Sequence, residues 1–81
     1  KINNMNYFEI ENKQTEENFN LKEILDFQLK NDVQIIRGGD FQYSCYINKE
    51  VYYSALTPVN ALAIGIKIYK ENEVRSYVRK L

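Results

Sequence analysis

Catalysis needs nucleophiles, bases or metal ligands at workable spacing, and this sequence offers few. It contains no histidine, so Ser-His and Cys-His nucleophile pairs are excluded. Cys45 sits in the middle of the alternating run "FQYSCYI". There its side chain faces a predicted core and reads as a packing residue, not a thiolate nucleophile. Glu16 and Glu17 are adjacent in a polar stretch and diverge, while Glu23 and Asp26 lie three apart on a predicted helix with no third group to complete a site. Solvated faces account for all four. One cysteine, no histidine and no spaced Asp/Asn loop leave the common zinc and calcium patterns unfilled. "RGGD" lacks both the P-loop and the dinucleotide fingerprints, and its glycines fall between two strand-like runs, where they make a turn. The expectation is a non-enzymatic protein with no catalytic residue, no metal and no cofactor.

The tyrosines suggest recognition. Tyr46 and Tyr52 are placed opposite each other on one face of a predicted hairpin, with Gln42, Ser44 and Ser54 around them. Tyrosine set among serine and glutamine combines rigid contact area with hydrogen-bonding tips, the chemistry of adaptable protein-binding surfaces. The plainer alternative is a cross-strand Tyr–Tyr pair that only stabilises the sheet. A second candidate lies at the C-terminal end, where Arg75, Tyr77, Arg79 and Lys80 could hold phosphates and stack a base.

These residues need elements to position them. "MNYFEIE" alternates and predicts a short strand, followed by "ENKQTEEN" at 11–18, which has no apolar residue and predicts a polar connecting loop. Asn20 and Glu23 give an N-cap and a capping-box spacing, with Phe19 and Ile24 as a hydrophobic staple. Leu21, Ile24, Leu25, Phe27, Gln28 and Leu29 then give a broad apolar face, and the helix is expected to stop at Asn31 in a left-handed conformation.

Three strand-like segments follow, at 33–37, 41–47 and 51–55. Loops at 38–40 and 48–50 would oppose Ile35 to Tyr43, Cys45 to Tyr53 and Tyr43 to Ala55. Those pairings gather Val33, Ile35, Phe41, Tyr43, Cys45, Ile47, Val51, Tyr53 and Ala55 on one core face. The segment at 57–69 supports two readings. As a helix it has Thr57 as N-cap and Pro58 at N1, with Val59, Leu62, Ala63, Ile66 and Tyr69 as its stripe. As a strand it alternates Leu62, Ile64, Ile66 and Ile68, and Gly65 favours that option. "VRSYVRKL" predicts a final edge strand, through which two copies could pair.

The fold expected is therefore α+β, a single domain spanning 1–81 in the order β-α-β-β-β-α-β. Its antiparallel sheet is built on a three-stranded meander, with two helices on one face and the last helix open to the strand reading.

Composition narrows the function classes. The 81-residue chain has zero formal net charge, unlike a DNA-coating protein or an acidic DNA mimic. Charge is uneven: residues 1–32 carry seven acids and four bases, and residues 33–81 carry four acids and seven bases. A single cysteine fits a reducing, cytoplasmic setting, and no apolar stretch is long enough to span a bilayer. Frequent Asn, Lys, Ile and Tyr match AT-rich coding sequence, as in a low-GC bacterium or its phages and plasmids. The expectation is a small module that docks another protein, such as a regulator or inhibitor of a host factor. The alternative is a nucleic-acid-binding domain.

Overall fold

Two Asn-x-x-Glu sequences each start a helix. The computed structural model describes residues 6–80, with side chains described for 6–73. Helix α1 (Tyr7–Asn18) opens on Asn6, whose side chain accepts from the Glu9 amide while the Glu9 carboxylate accepts from the Asn6 amide, a complete capping box. Helix α2 (Leu21–Lys30) opens on Asn20, which accepts from the Glu23 amide at 3.1 Å. It closes at Asn31, whose amide donates to Phe27; Asn31 is extended (φ −134°), not left-handed as expected.

The expected first strand and the expected loop at 11–18 are both corrected: together they form α1. The reason is visible in what α1 buries. Its two buried residues are Glu11 and Thr15, one turn apart, so its inward face is polar and carries no apolar period to read.

The meander is present as β1 (Val33–Arg37), β2 (Tyr43–Ile47) and β3 (Glu50–Ala55), antiparallel in the order β1-β2-β3. The α+β class holds, with three helices and this sheet. Its registers differ in two places. Val33 faces Ile47 and Ile35 faces Cys45, two residues from the expected pairing, so the first connection is the longer loop 38–42 and not 38–40. A shift of two preserves the faces. In the second hairpin Tyr43–Ala55 and Cys45–Tyr53 pair as expected, but a bulge then places Val51 opposite Tyr46 and Glu50 opposite Ile47. The turn is the two-residue Asn48-Lys49, both left-handed (φ 52° and 73°), which matches the twist of a tight hairpin. As a result Phe41 lies in the loop and Val51 on the opposite face, and both leave the expected core.

Helix α3 (Pro58–Lys80) settles the ambiguous segment as helix. Thr57 caps it through its hydroxyl, which accepts from the Asn60 amide at 3.2 Å. Asn60, Ala61, Ala63, Ile64, Gly65 and Ile66 are buried, while Val59 is exposed. The helix runs on through 74–80, so the expected final strand, and an edge-strand homodimer through it, are corrected as well.

Gly65 is where α3 meets the sheet. A Cβ placed there would stand 2.6 Å from the Cys45 sulfur and 2.9 Å from the Cys45 Cβ. The glycine that favoured a strand in the sequence is a close-approach residue in a helix. Ile24, Phe27, Cys45, Ile47, Ala55, Ala61 and Ile66 form one core, so all three helices lie on one side of the sheet, α1 through its packing on α3.

Candidate functional site: an uncovered sheet face

With every helix on one side, no element among the described residues covers the opposite face of the sheet. It carries Gln34, Ile36, Ser44, Tyr46, Val51 and Ser54. No residue of this set is fully buried, and Ile36 and Val51 expose 47% and 55% of their surface. Tyr46 stands in the middle strand, between Gln34 on β1 and Val51 on β3. Ser44 and Ser54 face each other and share a hydrogen bond of 2.8 Å between their hydroxyls. Gln42 lies just before β2 and is half-buried.

The expected Tyr46–Tyr52 pair does not form. The bulge makes Tyr52 the extra residue and turns it to the helix side. There its ring meets Tyr69 edge-on at 5.2 Å, and Tyr69 meets Phe27 edge-on at 5.4 Å. The Lys70 ammonium sits 5.8 Å from the Phe27 ring centre. Burial, and then the charge of Glu50, push the Tyr52 phenol pKa up. Tyr52 is thus a packing residue in the seam of β3, α3 and α2. Tyr46, Ser44 and Ser54 remain together on the open face with Ile36, which the alternation along 33–37 already puts there, and Val51 is the member that sequence reading missed. The bulge has no signature in the alternation, which by itself puts Val51 on the core face.

The loop 38–42 holds a second unusual group. Phe41 is 71% exposed with φ 64°, a strained conformation for a bulky residue. The Arg37 guanidinium covers its ring at 5.6 Å. The Gly38 amide donates to the Gln42 carbonyl at 2.7 Å, which closes the loop.

On the helix side, α1 is fastened by a buried polar cluster that sequence reading also missed. Tyr53 donates to Glu11 Oε2 at 2.7 Å, and the Tyr7 hydroxyl lies 2.8 Å from that of Tyr53. Since the Tyr53 proton goes to Glu11, Tyr7 is the donor of the second bond. Burial first, then the hydrogen bonds to Tyr7 and Glu11, push the Tyr53 phenol far above its ordinary range. Thr15 donates to Asn60 Oδ1 at 2.7 Å, and Asn60 donates to Asn12 at 2.9 Å. Glu11 is 1% exposed, and its second oxygen, Oε1, has no hydrogen-bond partner. The Thr15 hydroxyl is spent as a donor to Asn60 and the Tyr53 hydroxyl as a donor to Glu11.

Cys45 is fully buried, and burial raises its thiol to about 11, the opposite of an activated thiolate. Among the described residues no three His, Cys, Asp or Glu side chains converge, and no helix is long and apolar enough to cross a membrane. The side chains of Arg75, Tyr77, Arg79 and Lys80, the expected nucleic-acid contacts, lie outside the described residues.

Comparison with models of protein families, with curated proteins and with solved structures finds no match to this chain.

Proposed function

We propose that this chain is a small non-enzymatic binding module that docks another protein on the uncovered face of its sheet and acts as its regulator or inhibitor. The observation that carries this reading is the one-sided arrangement: three helices on one face, and on the other Tyr46 with exposed Val51 directly across from it and exposed Ile36 diagonal to it. A sheet face that sets a phenol and two exposed aliphatic side chains among two hydroxyls and an amide has the composition of a protein-docking surface. Ser44 and Ser54 share one hydrogen bond, which leaves one of the two hydroxyl protons free to donate to a docked partner.

The test pairs two tyrosines that the fold treats differently. Captured partners are compared for wild type, Tyr46→Ala and Tyr52→Ala, with thermal unfolding of each. Tyr46→Ala is expected to lose the partner with little change in Tm. Tyr52→Ala is expected to lower Tm, because it removes the ring against Tyr69. Retention of the same partner by Tyr46→Ala and by Ile36→Ser with Val51→Ser would sink the reading. Salt-sensitive binding of labelled RNA or DNA would instead favour the nucleic-acid alternative.

A further inference from the structure

Helix α2 shows the core only part of its apolar surface. Ile24 and Phe27 are buried, while Leu21, Leu25 and Leu29 expose 60%, 51% and 85% of theirs. At 3.6 residues per turn these three leucines form one stripe within about 80° of arc, roughly a third of a turn from the buried side. Contiguous apolar side chains on solvent, unlike scattered single ones, mark an interaction surface.

The charges beside the stripe identify what covers it. Lys22 and Asp26 both lie along the edge of the stripe opposite Ile24, where Asp26 also borders a groove with Phe27, Lys30 and Lys70, and among the described residues neither has an ion-pair partner; the ion pair formed nearby is Lys70–Glu23. The stripe is also symmetric about Leu25, with Leu21 and Leu29 one turn to either side. A second α2 laid antiparallel about a twofold axis beside Leu25 would set Leu21 on Leu29 and Leu29 on Leu21. The same operation keeps each flank on its own side. It therefore brings Lys22 of one copy within about 3 Å, along the axis, of the level of Asp26 of the other. Both ion pairs form at once, as an isologous contact requires.

We propose that two copies of this chain associate through α2, antiparallel about Leu25, with the leucine stripe as the contact and two Lys22–Asp26 pairs as its register. An area of one short helix per copy gives a weak, reversible dimer. The surface is separate from the open sheet face, and the inference does not depend on that face binding anything.

The test is sedentation equilibrium of the full chain, from about 10 μM to about 1 mM, a span that brackets weak association. Wild type is expected to show a monomer–dimer equilibrium. Leu25→Ser should weaken the dimer on the order of a hundredfold, since it removes a leucine from both copies at the centre. Because Leu25 is exposed, its Tm should stay near wild type. Lys22→Glu and Asp26→Lys should each weaken association about tenfold, and the double reversal should restore it. Three results would overturn the proposal: a wild-type chain that stays monomeric to about 1 mM, a dimer indifferent to Leu25→Ser, or one lost on Ile36→Ser instead. Single charge reversals without effect, or a double reversal that fails to restore, would refute the antiparallel register.

Discussion

Replacing Gly65 with alanine tests the contact on which the fold is built. In a helix that received no support from its neighbours the change would stabilise by about 1 kcal/mol. Here the new methyl would stand 2.6 Å from the Cys45 sulfur, where ordinary contact begins near 3.4 Å, so about 0.8 Å of separation must be found. Cys45 cannot supply it cheaply: it is fully buried, in the middle strand, and paired on both sides with Ile35 and Tyr53. Overpacking of this kind costs about 3 kcal/mol at the upper end, which leaves about 2 kcal/mol of net destabilisation after the helix gain. For a chain of this length that is a fall in Tm of about 10 °C, read by calorimetry or circular dichroism. Cys45→Ala in the same chain removes the sulfur but leaves its Cβ 2.9 Å away, so the double variant should regain about half the loss. A Gly65→Ala chain as stable as wild type, or more so, would show that α3 does not press on β2 and would refute the helix–sheet packing described here.

Three further outcomes follow from the same contacts. The Cys45 thiol, raised from 9.0 to about 11 in the folded chain, keeps its proton where the unfolded chain loses it. Stability should therefore fall as pH rises from 9 towards 11, less steeply in Cys45→Ala, and a thiol reagent at pH 8 should label Cys45 only on unfolding. Glu11→Ala should cost about 1–3 kcal/mol in urea titrations, because Tyr53 loses its acceptor, and Glu11→Gln should cost less because its amide oxygen can still accept from Tyr53. Equal losses would place the cost elsewhere. Lys49→Gly should gain up to about 1 kcal/mol, since Lys49 holds φ 73° in a two-residue turn that favours Asn-Gly; a loss would contradict that turn.

How far the sequence reveals this fold depends on whether a residue's partner is local. Asn20 and Glu23 announced α2, and Thr57-Pro58 announced α3, because a cap is satisfied within one turn. Asn6 and Glu9 carry the same spacing as Asn20 and Glu23 and start α1 in the same way, but the polar stretch behind them concealed a helix whose inward face is Glu11 and Thr15. The faces of β1 and β2 were legible, since a slip of two leaves alternation intact. The bulge at Tyr52 was not: it depends on Tyr69, seventeen positions further along, offering its ring edge. The open face was therefore legible at Tyr46 and Ser44 and hidden at Val51. Gly65 misled for a related reason, because its missing side chain makes room for a sulfur on another element.

The fastening of α1 also orders events in time. Tyr7 reaches Tyr53 across 46 residues, Glu11 reaches it across 42, Thr15 reaches Asn60 across 45, and Asn12 reaches Asn60 across 48. The hairpin pairings of the meander, by contrast, join residues closed by loops of a few positions. Short loops close first, and a long loop is worth closing only after its landing site exists. Asn60 and Tyr53 are set in place by α3 and β3, so α1 finds its polar sockets on a surface the rest of the chain has already assembled. Helix α1 is then expected to be the last part to arrive during folding and the first to leave, so its backbone amides should exchange with solvent before those of β2 and α3.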